Sequence, residues 1–178
     1  MILGMSTPTF TMLHVLISLI AIGSGIAVLF GMLRAKRLDG ITAIFLTTTV
    51  LTSLTGFAFP NQHVTPGIVI GVLSLVVLAG AVVARYSQHL RGAWRATYVV
   101  TAAVALYFNV FVLIVQSFEK VSALRALAPT QKEPPFAIAQ LVVLVISIAL
   151  TIAAVKRFRP RPAAVSPLSR NTREKGAA

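Results

Sequence analysis

The sequence predicts an all-α integral membrane protein, a five-helix transmembrane bundle with its N-terminus outside the cytoplasm and its basic C-terminus inside. Three observations predict it. Apolar residues fill 57% of the 178 positions and charged ones only 11%, whereas soluble domains carry roughly a quarter of their residues charged. The apolar residues gather into five runs, each long enough at about 1.5 Å per residue to cross a hydrocarbon core of roughly 30 Å. The lysines and arginines lie almost entirely between and after those runs, where headgroups and cytoplasm would solvate them.

The first run spans about 10–33, with His14 its one ionisable residue, and ends in Arg34, Lys36 and Arg37. The second, about 41–59, is rich in threonine, and in water it would read as a strand. In hydrocarbon a lone strand leaves its backbone groups unpaired, so the helix is preferred, with each hydroxyl bonding the carbonyl one turn back. A short uncharged turn carries Pro60, His63 and Pro66, and the third run follows over about 66–84. Pro66 suits the first turn of a helix, where a missing N–H costs nothing.

Arg85, His89, Arg91 and Arg95 then spread over a polar loop with Tyr86 and Trp94, residues that favour a headgroup belt. The fourth run, about 96–118, is interrupted in its apolar character by Asn109 and Gln116. The connection from Glu119 to Pro135 is the longest internal one and carries mixed charge. The fifth run, about 136–155, starts after the Pro134–Pro135 pair, which stops any preceding helix. The chain thus divides into a five-span domain over 1–155 and a Ser-, Pro- and Arg-rich tail over 156–178, expected to be disordered and cytoplasmic.

Placing the N-terminus outside puts thirteen of the sixteen basic residues on the cytoplasmic side, in two short loops and the tail. The formal charge of +12 would suggest nucleic acid in a soluble protein. Its distribution points instead to the bilayer as partner, with a second membrane protein or another copy of the chain as further candidates.

Lipid supplies little drive for helices to associate, so small residues mark close approaches. Helix one offers Gly23, Ala27 and Gly31 at intervals of four, and on another face His14, Ser18, Ala21 and Gly25. Helix two carries Thr48, Thr52 and Gly56 on one face. Helix three opens with Gly67 and Gly71.

The chemistry-bearing residues are few. With no cysteine, thiolate catalysis and cysteine metal sites are excluded. The single Asp, Asp39, lies in a cytoplasmic loop and there is no HExxH, which excludes intramembrane aspartyl proteases and zincins. Polar groups gather instead toward the outer ends of the spans: His14, His63, Gln116, Glu119 and Gln140, with Asn109 deeper on the face of Gln116. His14, His63 and Gln116 are the cofactor-binding candidates, and two neutral histidines are the pair a b-type haem needs. The midplane is nearly uncharged, which argues against proton pumping and leaves a quinone or a small solute as ligand or cargo. The composition favours a non-enzymatic component, a scaffold or accessory subunit without cofactor, with a haem or quinone redox component and a small-solute transporter as alternatives.

At 14–33, 63–67, 105–119 and 128–140 the chain resembles a group of small bacterial multi-pass inner-membrane proteins. That resemblance implies membrane location and no reaction.

Overall fold

The computed structural model describes residue 2 and residues 4–60 and 66–159, with Pro66 described by its backbone only. Among them no strand forms apart from one isolated bridge between Ile2 and Met5. Helices α1 (Thr7–Leu33), α2 (Asp39–Phe57), α3 (Pro66–Val82), α4 (Trp94–Lys120) and α6 (Pro134–Arg157) are joined by a short α5 (Ser122–Leu127), and a π-helical turn, Val83–Ser87, extends α3. Five helical stretches are long and apolar enough to cross a membrane. The basic tail expected from residue 156 begins inside α6, and from residue 160 on it lies outside the described residues.

The helix ends follow local chemistry. Ser6 caps α1 by accepting from the N–H of Thr9 at 3.3 Å, with Pro8 in the first turn, so the helix starts three residues before the apolar run. At the start of α6 the Glu133 carboxylate accepts from the Lys132 N–H and from the N–H and hydroxyl of Thr130. Desolvation opposes ionisation there, but these bonds and its own backbone N–H outweigh it and hold the carboxyl below its ordinary range. The last turn of α6 is held by Arg95, whose guanidinium donates to the carbonyls of Val155 and Phe158, an end where positive charge is favoured.

Helix α1 pairs with α2, α2 with α3 and α3 with α4, and α4 returns to α1 to close a four-helix ring; α6 lies outside it against α4 and α1. The buried core fills one half of this ring. Val28 and Met32 of α1, Phe45 and Leu46 of α2, Leu78 and Ala81 of α3, and Tyr98, Val99, Ala102 and Ala105 of α4 pack together at the end bearing the Arg34–Leu38 turn. We call this the closed end. The opposite, open end carries the N-terminus, the end of α2, the start of α3 and the α4–α6 connection.

Helix α1 approaches α2 and α4 closely at Gly25. A Cβ placed there would lie 2.7 Å from the Phe45 ring and 2.8 Å from Leu106 Cδ1. The stripe expected on Gly23, Ala27 and Gly31 is not this contact. Gly23 is exposed with nothing within 4 Å of its Cβ position, Ala27 is half-buried, and Gly31 lies under Leu38 of the following turn. The reason is pairwise: an intervening ring and a branched side chain, not a second glycine, fill the groove, and they do so on the face of Ala21 and Gly25. A Cβ placed at Gly71 would likewise lie 2.7 Å from the Phe57 ring, while Gly67 is exposed at the open end.

Leucine at position 25 must displace Phe45 or Leu106, both within the packed half, and should cost about 1–3 kcal/mol. Gly23→Leu should cost nothing measurable. Unfolding of both variants in mild detergent checks the pair, and equal stability would show that the contact at Gly25 yields freely.

Candidate functional site

Above the packed half, the open ends of α1–α4 enclose a cavity of about 670 Å³. Each wall is positioned by the core beneath it. Helix α1 contributes His14 and Ser18, α2 Thr52 and Gly56, α3 Gly71 and Ser74, and α4 Asn109 and Gln116 at the seven-residue spacing that keeps them on one face. The rest of the surface is largely aliphatic.

His14 is half-buried, and its Nδ1 lies 2.7 Å from the hydroxyl of Thr55. The ring also packs edge-on against Phe59, with centroids 5.3 Å apart. The Thr55 hydroxyl lies 2.7 Å from Leu51 O. It also lies 3.2 Å from Thr52 O, and with one hydrogen to give among two carbonyls and Nδ1 it can pair with either tautomer of the ring.

Asn109 donates from its amide nitrogen to the buried Thr49 hydroxyl at 3.2 Å, and that hydroxyl donates in turn to Phe45 O. Ser18 and Ser53 give their hydrogens to carbonyls one turn back, at 2.8 and 3.1 Å, leaving only acceptor oxygens on the wall. Two cavity hydroxyls behave differently. Thr52 Oγ1 and Ser74 Oγ are buried without a hydrogen-bond partner among the described residues, and Ser74 is only 3% exposed. A buried hydroxyl left unpaired costs about 1–3 kcal/mol, and the Tyr98 hydroxyl of the packed half is left unpaired in the same way.

At the mouth, Gln116, Glu119 and Lys120 are exposed, and Glu119 and Lys120 also line a second, polar recess of about 410 Å³ with Arg125 and Gln131. Gln131 donates to Val115 O at 3.1 Å and closes that recess onto α4.

The structure therefore brings His14, Asn109, Gln116 and Glu119 to one cavity. It separates Gln140 from them. Helix α6 lies behind α4, and Gln140 donates there to Phe111 O at 3.3 Å, with its own Oε1 buried and unpartnered. His63 lies outside the described residues. Among the described residues no three of His, Asp or Glu converge as a metal site.

Sequence reasoning missed three elements. Ser74 sits in an apolar run and carries no pattern that marks it. Lys120 was counted as loop charge. Arg85, assigned to a polar loop, is instead 4% exposed inside the π-helical turn. Its guanidinium lies over the Tyr98 ring, 5.0 Å from the centroid, and pairs with Asp39, which also lies 3.5 Å from Arg37. A Tyr next to a terminal Arg was the available signal, but it reads equally as a headgroup belt.

Compared with protein-family models, curated proteins and solved structures, the chain matches none.

Asp39 is exposed and Arg85 is not, so the two partners are not equivalent. Asp39→Asn strands a buried cation and should lower stability by about 1–3 kcal/mol. Adding Arg85→Met should recover part of that loss. A double-mutant cycle read by unfolding in detergent checks it, and strictly additive losses would show no coupling between them.

Proposed function

We propose that this chain is a five-span protein of the bacterial inner membrane, N-terminus on the periplasmic side, that binds a small lipophilic molecule in the cavity at its outer end. The observation that carries the reading is the cavity itself: about 670 Å³ with a largely apolar lining and a few polar side chains, His14, Asn109 and Gln116 among them. Ligand sites combine these two features, an apolar volume and a few convergent polar groups.

Membrane location is supported by what the bundle exposes. Met12, Leu16, Val76, Ile138 and Leu141 are each more than half exposed, and at about 25 cal/mol per Å² such a surface is costly in water and costless in lipid. The orientation rests on charge. The closed end carries Arg34, Lys36, Arg37, Arg91 and Lys156, and the open end carries Lys120, Arg125 and Lys132 beside two glutamates, so the positive-inside rule puts the cavity outside.

Two outcomes are expected. Reporter fusions active only in the periplasm should be active at Asn61 and Gln131 and silent at Lys36 and Arg91; activity at Arg91 would overturn the orientation. Organic extracts of purified protein should contain a lipophile near one per chain that is missing from folded Gly56→Leu, whose added side chain starts in the cavity wall with ordinary contact to His14, 3.7 Å from the Cβ position. Identical extracts would remove the ligand reading. The visible spectrum of the same preparation, reduced with dithionite, tests haem directly: a sharp band lost in both His14→Ala and His63→Ala assigns the cavity to haem instead.

A further inference from the structure

We infer that the cavity selects a lipophilic alcohol or phenol, held by a hydrogen bond from the ligand hydroxyl to Nε2 of His14, with Thr55 as the positioning residue that fixes the imidazole tautomer. The inference rests on the ligand-binding reading above and adds the ligand's chemical class.

The argument begins with a count of hydrogens. Thr55 Oγ1 lies 2.7 Å from Leu51 O and 3.2 Å from Thr52 O, and with its one hydrogen given to either carbonyl it accepts from His14 Nδ1–H. In that tautomer neutral His14 has a lone pair at Nε2, and among the described residues no hydrogen bond to that atom is made. Ser18 and Ser53 are likewise acceptors only, their hydrogens committed to their own helix.

A ligand that brings lone pairs alone, such as a quinone, a ketone or a carboxylate, meets a lone pair at Nε2 and is repelled. An ammonium group would donate, but its charge would have to enter an aliphatic chamber. A hydroxyl avoids both costs. It donates its hydrogen to Nε2 and brings no charge into the apolar walls.

Water is the competing hydroxyl. At about 30 Å³ per molecule, water would fill this volume with roughly twenty molecules, most of them against Val15, Leu19, Ile22, Ile70, Val112 and Leu113. Those walls offer no hydrogen bonds and favour a carbon skeleton.

The test uses the full chain in lipid nanodiscs at pH 8, above the ordinary histidine titration at roughly 6.5. The chain has three histidines, so nitrogen-15 histidine spectra are simple, and His14→Phe assigns the resonance. Without ligand, wild type and Thr55→Ser should show the hydrogen on Nδ1, and Thr55→Val should lose that preference while staying folded. A wild-type hydrogen on Nε2 would overturn the inference outright. The probes are 4-nonylphenol and its methyl ether, which differ in one donor and one methyl group. The phenol should shift His14 Nε2 upfield and bind about tenfold more tightly than the ether, with the difference gone in His14→Phe. Equal binding of both probes with Nε2 unmoved would overturn the hydroxyl inference and leave the lipophile reading standing. Binding of neither would overturn both.

Discussion

The architecture depends on the contact at Gly25, where the absence of one Cβ lets the Phe45 ring and Leu106 lie directly against α1. Below this level every helix of the ring contributes small or flat groups, and the interior fills. Ala81, Ala84 and Ala105 are each fully buried, and Phe45 and Tyr98 are 1% exposed between them. Between apolar helices such contacts carry the association. Above this level a second close contact, Gly71 against the Phe57 ring, joins α3 to α2, and the walls of α1–α4 leave room for a ligand-sized volume.

Polar pairing is extensive at both ends and complete at neither. Thr49 bonds Phe45 O and receives Asn109, and Arg85 is matched by Asp39 and lies over the Tyr98 ring. Buried side-chain atoms without a hydrogen-bond partner among the described residues occur at the Tyr98 hydroxyl in the packed half, at Thr52 and Ser74 beside the chamber, and at Gln140 behind α4. One nitrogen of His14 is committed to Thr55.

The π-helical turn belongs to the closed end. Its wider ring, sealed by Gln88 N–H to Val83 O at 2.9 Å, offsets the register of α3 by one residue just where Arg85 must turn inward. Such turns cost regular hydrogen bonding and persist where a side chain needs a direction that an α-helix cannot give. Here that side chain ties α3 to the first residue of α2 and to the face of α4, so three helices share one charge.

Much of this was legible in the sequence. Five apolar runs, proline pairs and charged breaks determine five long helices, because hydrocarbon leaves the backbone no other way to satisfy itself. The seven-residue spacing of Asn109 and Gln116 and the face of His14, Ser18, Ala21 and Gly25 are properties of any α-helix carrying those residues. What the sequence alone does not decide is how each helix is rotated against its neighbours. That choice assigned the close approach to Gly25 and not Gly23, turned Gln140 behind α4, buried Arg85 on Tyr98, and left Ser74 facing a chamber. It is set by the fit of particular rings and branches such as Phe45, Phe57 and Leu106 into neighbouring grooves, a sum over many small dispersion contacts between residues far apart in the chain. No local pattern records that sum.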